Sequence, residues 1–274
     1  MSDRRYPSDL SDDEWRLLEP LFPPCRCGRP PKWPRRLLAD AIFYVIRSGC
    51  AWRMLPREFP PWRTVYSHFR RHWRGGPLRT AHDRLRCRVR EAEGRAPEPS
   101  GAVVDSQSVR TAGSGGPARG YDGAKRLKGR KRHLLVDTLG LVLLACVHAA
   151  DLQDREGGRM LVAAEPAEVL PRLETVWADA GYAGVFARWL LDNRGWRVEV
   201  VRHPDRQLRR YGLEEGPPVF RVLHRRWVVE RTFAWLGQSR RLSKDYERLP
   251  ATSETMIYGA MTRIMLRRLA NTMA

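Results

Sequence analysis

Three acidic residues occupy positions from which the fold could bring them to one site. Asp105 and Asp179 each end a short apolar run that predicts a buried strand. Glu230 lies inside the arginine-rich stretch 226–235, which predicts a helix. Two strand-end carboxylates and one helix carboxylate can converge on a pair of divalent cations, and such a site stabilises in-line displacement at a phosphodiester. The residue types therefore point to phosphodiester chemistry.

The elements that must position these acids follow from the hydrophobic pattern of the C-terminal two thirds. The order is three strands, a helix, a strand, a helix, a strand and final helices, which is that of a ribonuclease H-like fold. We predict an α/β fold whose mixed five-stranded sheet has flanking helices. Asp105 leaves its first strand, Asp179 leaves its fourth, and Glu230 lies on the helix after the fifth, all at one edge of the sheet. The predicted strands are 102–104, 133–137, 141–148, 175–178 and 197–202, with helices at about 154–168 and 185–194.

The N-terminal third is predicted to be helical. A helix, a tight turn and an arginine-rich helix resemble a helix-turn-helix DNA reader, and an ordinary helical bundle with a solvated basic face is the alternative. The predicted helices begin with a capping box from Ser11 to Glu14, span 35–48 up to Gly49, span 62–73, and run from the turn at 75–77 to about Glu93. The predicted DNA-contacting side chains here are Arg63, Tyr66, Arg70 and Arg71.

A composition change predicts where the chain divides. Residues 94–101 are rich in glycine and proline and separate the helical pattern from the strand pattern. We predict a small all-α, helix-turn-helix-like DNA-binding domain over 1–93, with a Pro-rich segment at 20–34. A linker over 94–101 then leads to a ribonuclease H-like catalytic domain over 102–274.

The charge of the chain indicates its partner. The net charge is +19 and the pI about 10.7, so phosphate-rich partners are attracted strongly. Only five of the 50 basic residues are lysines, and arginine suits bidentate phosphate contacts. We predict double-stranded DNA as the partner. The five cysteines form no CxxC pair, and no run of 18 apolar residues occurs. We expect a reduced, soluble, cytoplasmic and nucleoid-associated protein without a membrane partner.

A second basic cluster lies in the glycine-containing loop 119–133, just beyond Asp105. This loop holds three of the five lysines, and its glycines allow close backbone approach. We predict phosphate binding beside the chemistry, and a solvated basic loop is the alternative. The predicted DNA-contacting residues of the loop are Lys125, Lys128, Arg130, Lys131 and Arg132.

Other acids compete with the three for a catalytic role, but local patterns favour structural interpretations. Asp137 is predicted to form a hairpin turn, and Asp122 a turn within the loop. Asp151 and Asp154 are predicted to cap the helix that follows the third strand. His133, which opens an apolar strand, is predicted to be structural.

Arg226 lies four residues before Glu230 on the predicted helix, so the two side chains share a face. Arg226 could fix the carboxylate or hold the scissile phosphate, and a plain surface ion pair is the alternative. The apolar neighbours on this helix are predicted to be core rather than base-stacking platforms; they are Trp227, Val228, Val229, Phe233 and Trp235.

Several motifs together resemble a bacterial insertion-sequence transposase of the DDE class, close to the IS4 and IS5-type families. They are Leu10-Ser-Asp-Asp-Glu-Trp15, Cys50-Ala-Trp-Arg-Met-Leu-Pro56, Trp62-Arg-Thr-Val-Tyr-Ser-His-Phe69, Lys128-Gly-Arg-Lys-Arg-His-Leu-Leu-Val-Asp137, Ala178-Asp-Ala-Gly-Tyr182 and Arg226-Trp-Val-Val-Glu-Arg-Thr-Phe-Ala-Trp-Leu236. The resemblance implies Asp105, Asp179 and Glu230 as the catalytic triad, holding two Mg²⁺ for which Mn²⁺ can substitute. It also implies recognition of terminal inverted repeats by the N-terminal region and assembly of a homo-oligomer on DNA.

The sequence departs from the related families around the last acid. Leu223 stands where relatives often have tyrosine, and Gly237 where they have lysine. Arg240, Arg241 and Lys244 are the candidates for the replacing cation.

The expected activity is metal-dependent strand cleavage at each element end, followed by attack of the freed 3′-hydroxyl on target DNA. A ribonuclease H-like nuclease without strand transfer would share the acids but would not need specific ends. An inactive or regulatory DNA-binding relic would keep the basic helices and tolerate loss of the acids. All three acids are present and in order, which favours an active enzyme.

Overall fold

The computed structural model describes residues 5–22, 32–74, 76–113, 115–166, 168–201 and 226–273. Most of the predicted Pro-rich segment, with Cys25 and Cys27, lies outside these ranges. Within them the chain opens with four helices, passes into a mixed sheet with two helices between its strands, and closes with two more helices. The helices are α1 (Asp12–Leu18), α2 (Arg35–Ser48), α3 (Trp62–His68), α4 (Pro77–Ala92), α5 (Asp154–Ala163), α6 (Val185–Arg194), α7 (Trp227–Gly237) and α8 (Pro250–Met273).

The predicted N-terminal helices are confirmed. Ser11 Oγ accepts from the Glu14 N–H at 3.0 Å and the Glu14 carboxylate accepts from the Ser11 N–H at 2.6 Å, so the capping box is complete. Helix α2 ends where predicted, because Gly49 adopts a left-handed φ of 74° that closes the helix. Helix α3 continues as a π-helical turn over 69–73, so the predicted helix 62–73 is also present.

The sheet has the ribonuclease H-like order that the sequence predicts. Strand β1 lies between antiparallel β3 and parallel β5, β4 pairs antiparallel with β3, and β6 pairs parallel with β5. The described part of the chain contains one strand more than predicted, the short β2, which pairs with the start of β3. The strands are β1 (Gly101–Arg110), β2 (Gly120–Asp122), β3 (Leu127–Asp137), β4 (Val142–Ala149), β5 (Thr175–Ala178) and β6 (Arg197–Val200).

The two faces of the sheet pack against different layers, because side chains alternate along a strand. Ala102 and Val104 belong to the apolar cluster beneath α5 and α6. Val103, between them, belongs to a larger cluster formed with α7, α8 and the N-terminal helices. Asp105 follows in this alternation and points to the α7 side.

The predicted boundary at 94–101 stays a prediction about domain organisation. The larger apolar cluster joins Leu10 of the N-terminal region to Val103 of the sheet and to Met261 of α8. Helix α8 packs on α1, α2, α4 and β4, so the N-terminal helices and the sheet share one core. None of the described helices combines the length and apolarity needed to cross a lipid bilayer.

Candidate active site

The strand register brings Asp105 and Asp179 to the same edge of the sheet. β1 and β5 run parallel with Val103 paired to Trp177, and the two acids each lie two residues further along. Asp179 directly follows β5, as predicted, but the prediction that Asp105 leaves its strand is wrong, because it is the fifth residue of β1. β1 continues because its pairing with β3 extends to Arg110, whereas its pairing with β5 has already ended. The acids therefore lie where the two parallel strands diverge.

Partial burial raises the pKa of the Asp105 carboxyl group. Desolvation is the main cause that raises the pKa of this carboxyl from 3.8 to about 6, and the negative charge of Asp179 adds to the increase. The Ser106 N–H, which donates to Asp105 Oδ1 at 2.7 Å, and the cations of Arg226 and Lys125 lower the same pKa. Any positive charge that lies close to this carboxyl group therefore stabilises its ionised form.

Glu230 approaches the same face of the sheet on α7. Val229 is fully buried in the cluster that contains Leu134, the register partner of Asp105, so α7 covers the face to which Asp105 points. The Glu230 side chain is 57% exposed, and its Oε1 lies 3.6 Å from Arg226 Nη2. Among the described residues, no three His, Cys, Asp or Glu side chains lie close enough together to hold a metal ion. Convergence of the three acids on cations therefore stays a prediction.

The apolar side of α7 is only partly as predicted. Val228 and Val229 are buried, but the prediction that Trp227 belongs to the core is wrong, because 38% of this residue is exposed. It is the first residue of the helix, and its ring lies 4.4 Å from the Arg231 guanidinium. The cation covers one face of an indole that the helix end leaves at the surface.

The candidates for the cation that replaces the family lysine after Glu230 differ in how far they are buried. Leu223 lies outside the described residues. Arg241 is buried with its Nε 2.6 Å from Glu247 Oε1, so its charge is committed to an internal ion pair. Arg240 and Lys244 are exposed and stay candidates.

The predicted basic loop 119–133 is a β-hairpin for most of its length. β2 and β3 pair from Gly120 with Gly129, and only 123–126 form the turn. Lys125 and Lys128 are exposed near this turn, so they remain in the proposed DNA-contacting set. Their exposure follows from the short β2, which leaves the end of the hairpin at the surface.

Three basic residues of this hairpin are instead internal, and they leave the proposed DNA-contacting set. Arg130 is fully buried and pairs with Asp245 at 3.1 Å. Lys131 donates to the Leu152 carbonyl at 2.7 Å and to Asp154 at 3.0 Å. Arg132 donates to the carbonyls of Leu242 and Lys244 at 2.7 and 3.0 Å. The physical reason for the correction is that β3 is a central strand, so both of its faces are covered and its cations bond to protein carbonyls and acids.

Arg130→Ala is expected to lower the free energy of unfolding by about 3–5 kcal/mol, because it leaves the buried carboxylate of Asp245 without its cation. Lys128→Ala, two residues away and exposed, is the matched control, and we expect a change within about 0.5 kcal/mol. Denaturant unfolding of both variants measures the difference. Equal stability of the two variants would contradict the internal role of Arg130.

Asp154 is a site-adjacent acid whose role the sequence reasoning missed. The prediction that it caps α5 is wrong, because Gln153 is the N-cap residue and no side-chain capping bond is formed. Its Oδ1 instead accepts from Ser106 Oγ at 2.8 Å and from Lys131 Nζ at 3.0 Å. The polar residues Ser106 and Lys131, on adjacent strands of an apolar sheet, were the available signal.

Asp137, Asp122 and His133 have the structural roles that the sequence predicts, whereas the prediction that Asp151 caps α5 is wrong, because this helix has no side-chain capping bond. Asp137 is fully buried, and its Oδ1 accepts from the N–H of Leu141 at 2.8 Å in the β3–β4 turn. Asp122 accepts from Ser108 Oγ at 2.5 Å. His133 is fully buried, with its Nδ1 2.8 Å from His148 Nε2.

The predicted DNA-contacting residues of the N-terminal region lie on α3 and the π-helical turn after it. Arg63, Arg70 and Arg71 are exposed, as a contact role requires. Tyr66 is half-buried, and the centroid of its ring lies 5.3 Å from that of Trp52 and 6.4 Å from that of Phe69. The predicted order of helix, turn and helix is present, and groove reading by it stays a prediction.

Comparisons with known proteins match transposases in both the N-terminal and the C-terminal part of the chain. The family model described as a transposase DDE domain matches residues 96–265, and that of transposases assigned to the IS4/5 family matches residues 10–82. Two proteins of insertion element IS402 from Burkholderia cepacia are similar. One, an uncharacterized 16.2 kDa protein, is 32% identical over 118 residues, which cover 39% of this chain and 76% of that protein. The other, assigned as the IS402 transposase, is 33% identical over 141 residues, which cover 49% of this chain and 62% of that protein.

Among solved structures, a chain of the Mos1 strand transfer complex is matched with 14% identity and a TM-score of 0.25. The match covers 90% of this chain and 79% of that chain. A similarity this low contributes nothing to the fold assignment, which depends on the strand order.

Proposed function

Because the chain belongs to the transposase DDE domain family, we propose that it binds the terminal inverted repeats of an insertion sequence and catalyses strand cleavage and strand transfer there. The observation that carries the proposal is the register that sets Asp105 beside Asp179, under the helix that bears Glu230. The net charge of +19 supports double-stranded DNA as the substrate.

The proposed ligands of two Mg²⁺ ions, or of Mn²⁺ in their place, are Asp105, Asp179 and Glu230. The donor set fits, because carboxylate oxygens are the ligands that Mg²⁺ prefers. The raised pKa of Asp105 supports the same assignment, since a cation held by Asp105 and Asp179 would offset the cost of desolvating Asp105 and the repulsion between the two carboxylates. When bound, such cations supply the positive charge that the attacking and leaving oxygens of an in-line displacement require.

The protein's own side chains contribute position and charge rather than a nucleophile. Arg226 forms an ion pair with Glu230, and its positive charge lowers the pKa of Asp105. It can therefore fix the Glu230 carboxylate or contact the scissile phosphate. In the proposed reaction, water cuts the strand at each element end and the freed 3′-hydroxyl attacks target DNA, with no covalent enzyme intermediate. We further propose that an oligomer of this chain holds both ends.

The test is strand cleavage of a duplex that carries the DNA flanking the gene, with Mg²⁺ or with EDTA, followed by addition of a target plasmid. We expect cutting at the inverted-repeat boundary with Mg²⁺ alone, and joining of the cut ends to the plasmid. Cutting without joining would favour a nuclease. Binding without cutting would favour a regulatory DNA-binding protein.

A further inference from the structure

Two buried arginines of β3 donate hydrogen bonds to backbone carbonyls in the segment that follows α7. Arg130 donates to the carbonyls of Glu247 and Arg248 at 2.7 and 2.8 Å. Arg132 donates to the carbonyls of Leu242 and Lys244. We call residues 240–248 the clamped segment.

The clamped segment lies on the same face of the sheet as Asp105. Arg132 and Arg130 pair with Gln107 and Val109 of β1, and directly opposite residues of antiparallel strands share a face. These positions are two and four residues beyond Asp105, which at a rise of 3.4 Å per residue is roughly 7 and 14 Å along the strand. The clamped segment therefore starts close to the proposed chemistry.

Backbone hydrogen bonds fix the clamped segment to the end of β1. The Asp245 N–H donates to the Arg110 carbonyl, and the Ala112 N–H donates to the Asp245 carbonyl, both at 2.8 Å. Together with the arginine clamp, these bonds make it an ordered part of the sheet edge. Side chains that leave it are consequently presented from a fixed backbone.

The clamped segment separates its charges by sign. Asp245 is buried and bonded to Arg130 and Ser253, and Glu247 is buried and paired with Arg241. Its remaining cations Arg240, Lys244 and Arg248 are exposed. In the part of the chain that the structure describes, Lys244 and Arg248 have no ion-pair partner. The solvent side is thus purely cationic, with the acids turned inward.

We propose that the clamped segment is a DNA-backbone contact surface, in which Lys244 and Arg248 bind phosphates about five or six nucleotides from the cleaved bond. The spacing follows from Asp245, whose backbone meets Arg110 and Thr111. These residues lie five and six positions beyond Asp105, roughly 17–20 Å at 3.4 Å per residue, compared with 3.4 Å of helix axis per nucleotide of one strand. A fixed array of cations without acids fits a regular row of phosphates. This inference rests on the proposed function and adds to it a surface beside the acids.

The test compares the double variant Lys244→Ala/Arg248→Ala with wild type in binding to the element-end duplex over a range of salt concentrations. Removing two phosphate contacts is expected to reduce the slope of log K against log salt by about 2, with unchanged Tm. Single methylphosphonates about five or six nucleotides from the cut should weaken binding of wild type but not of the double variant.

Arg172→Ala/Arg197→Ala is the charge-matched control, because both arginines are exposed near the opposite ends of the parallel strands. Two results would overturn the clamped segment as a contact surface even if wild type cleaves the duplex. One is a wild-type slope of log K against log salt in the Lys244/Arg248 variant, and the other is an equal decrease of that slope in the control. Failure of wild type to bind or cut the duplex would overturn the proposed function itself.

Discussion

Glu230→Gln is expected to lower the rate of strand cleavage by about 10³-fold or more, equivalent to about 4 kcal/mol of barrier, while end binding stays nearly intact. The substitution keeps the size of the side chain and removes the charge that the proposed cations need. Little else depends on this carboxylate, because it is 57% exposed and its ion pair with Arg226 spans 3.6 Å. Such surface pairs contribute under about 1 kcal/mol to stability.

Single-turnover cleavage, the Kd for the element-end duplex and Tm together measure this prediction. Glu91→Gln is the matched control, since it makes the same charge change on an exposed residue of α4. We expect wild-type cleavage from the control. Undiminished cleavage by Glu230→Gln, or loss of binding in parallel with cleavage, would refute the division between a catalytic acid and a binding surface.

Asp105→Asn is expected to abolish cleavage and, without divalent cations, to stabilise the folded protein at pH 8 by about 1–3 kcal/mol. The sign follows from the pKa of Asp105, which desolvation raises from 3.8 to about 6 in the folded state. The folded protein therefore holds this proton more tightly than the unfolded chain does. Ionisation of Asp105 costs the folded state no stability below about pH 3.8. The loss of stability increases between about pH 3.8 and pH 6 and reaches its full value above about pH 6. Asparagine removes that cost and keeps the acceptor for the Ser106 N–H.

Denaturant unfolding in EDTA at pH 4 and pH 8 measures the second prediction, with Asp192→Asn, an exposed residue of α6, as control. The variant and wild type should be equally stable at pH 4, and the variant more stable at pH 8. Adding Mg²⁺ at pH 8 should stabilise wild type but not the variant, as expected for a cation ligand. A pH-independent loss of stability in Asp105→Asn would instead indicate a purely structural carboxylate.

Local patterns predicted the elements well where the signal lies within a few residues. The capping box at Ser11, the left-handed stop at Gly49 and the helix start near Asp154 each depend on neighbours along the chain, and each is present. The strand before Asp179 was likewise predicted to the residue. Strand β2 was missed because its three residues have no apolar run of their own and are defined by pairing with β3.

Burial of charged side chains could not be predicted in the same way. Arg130, Lys131 and Arg132 stand among solvent-facing cations in the sequence, and nothing local distinguishes them from Lys125 and Lys128. Their hydrogen-bond partners are distant along the chain: Arg130 and Arg132 donate to carbonyls within residues 242–248, and Lys131 donates to the Leu152 carbonyl. Asp154 was misread for the same reason, because Ser106 and Lys131 reach it only after the sheet has formed.

The order of the main strands and helices, and the family, could be predicted from the sequence, because periodicity and short motifs are local properties of a chain. The same motifs single out the three acids of the proposed site. Which cations face solvent could not be predicted, since that depends on which strand is central and what covers it. Tertiary structure also sets the pKa of Asp105, because desolvation and the charges of Asp179 and Arg226 act through distances in space rather than along the chain. The sequence specifies which ionisable side chains are present. The packing around each side chain then sets its local dielectric and its partners, and with them its pKa and reactivity.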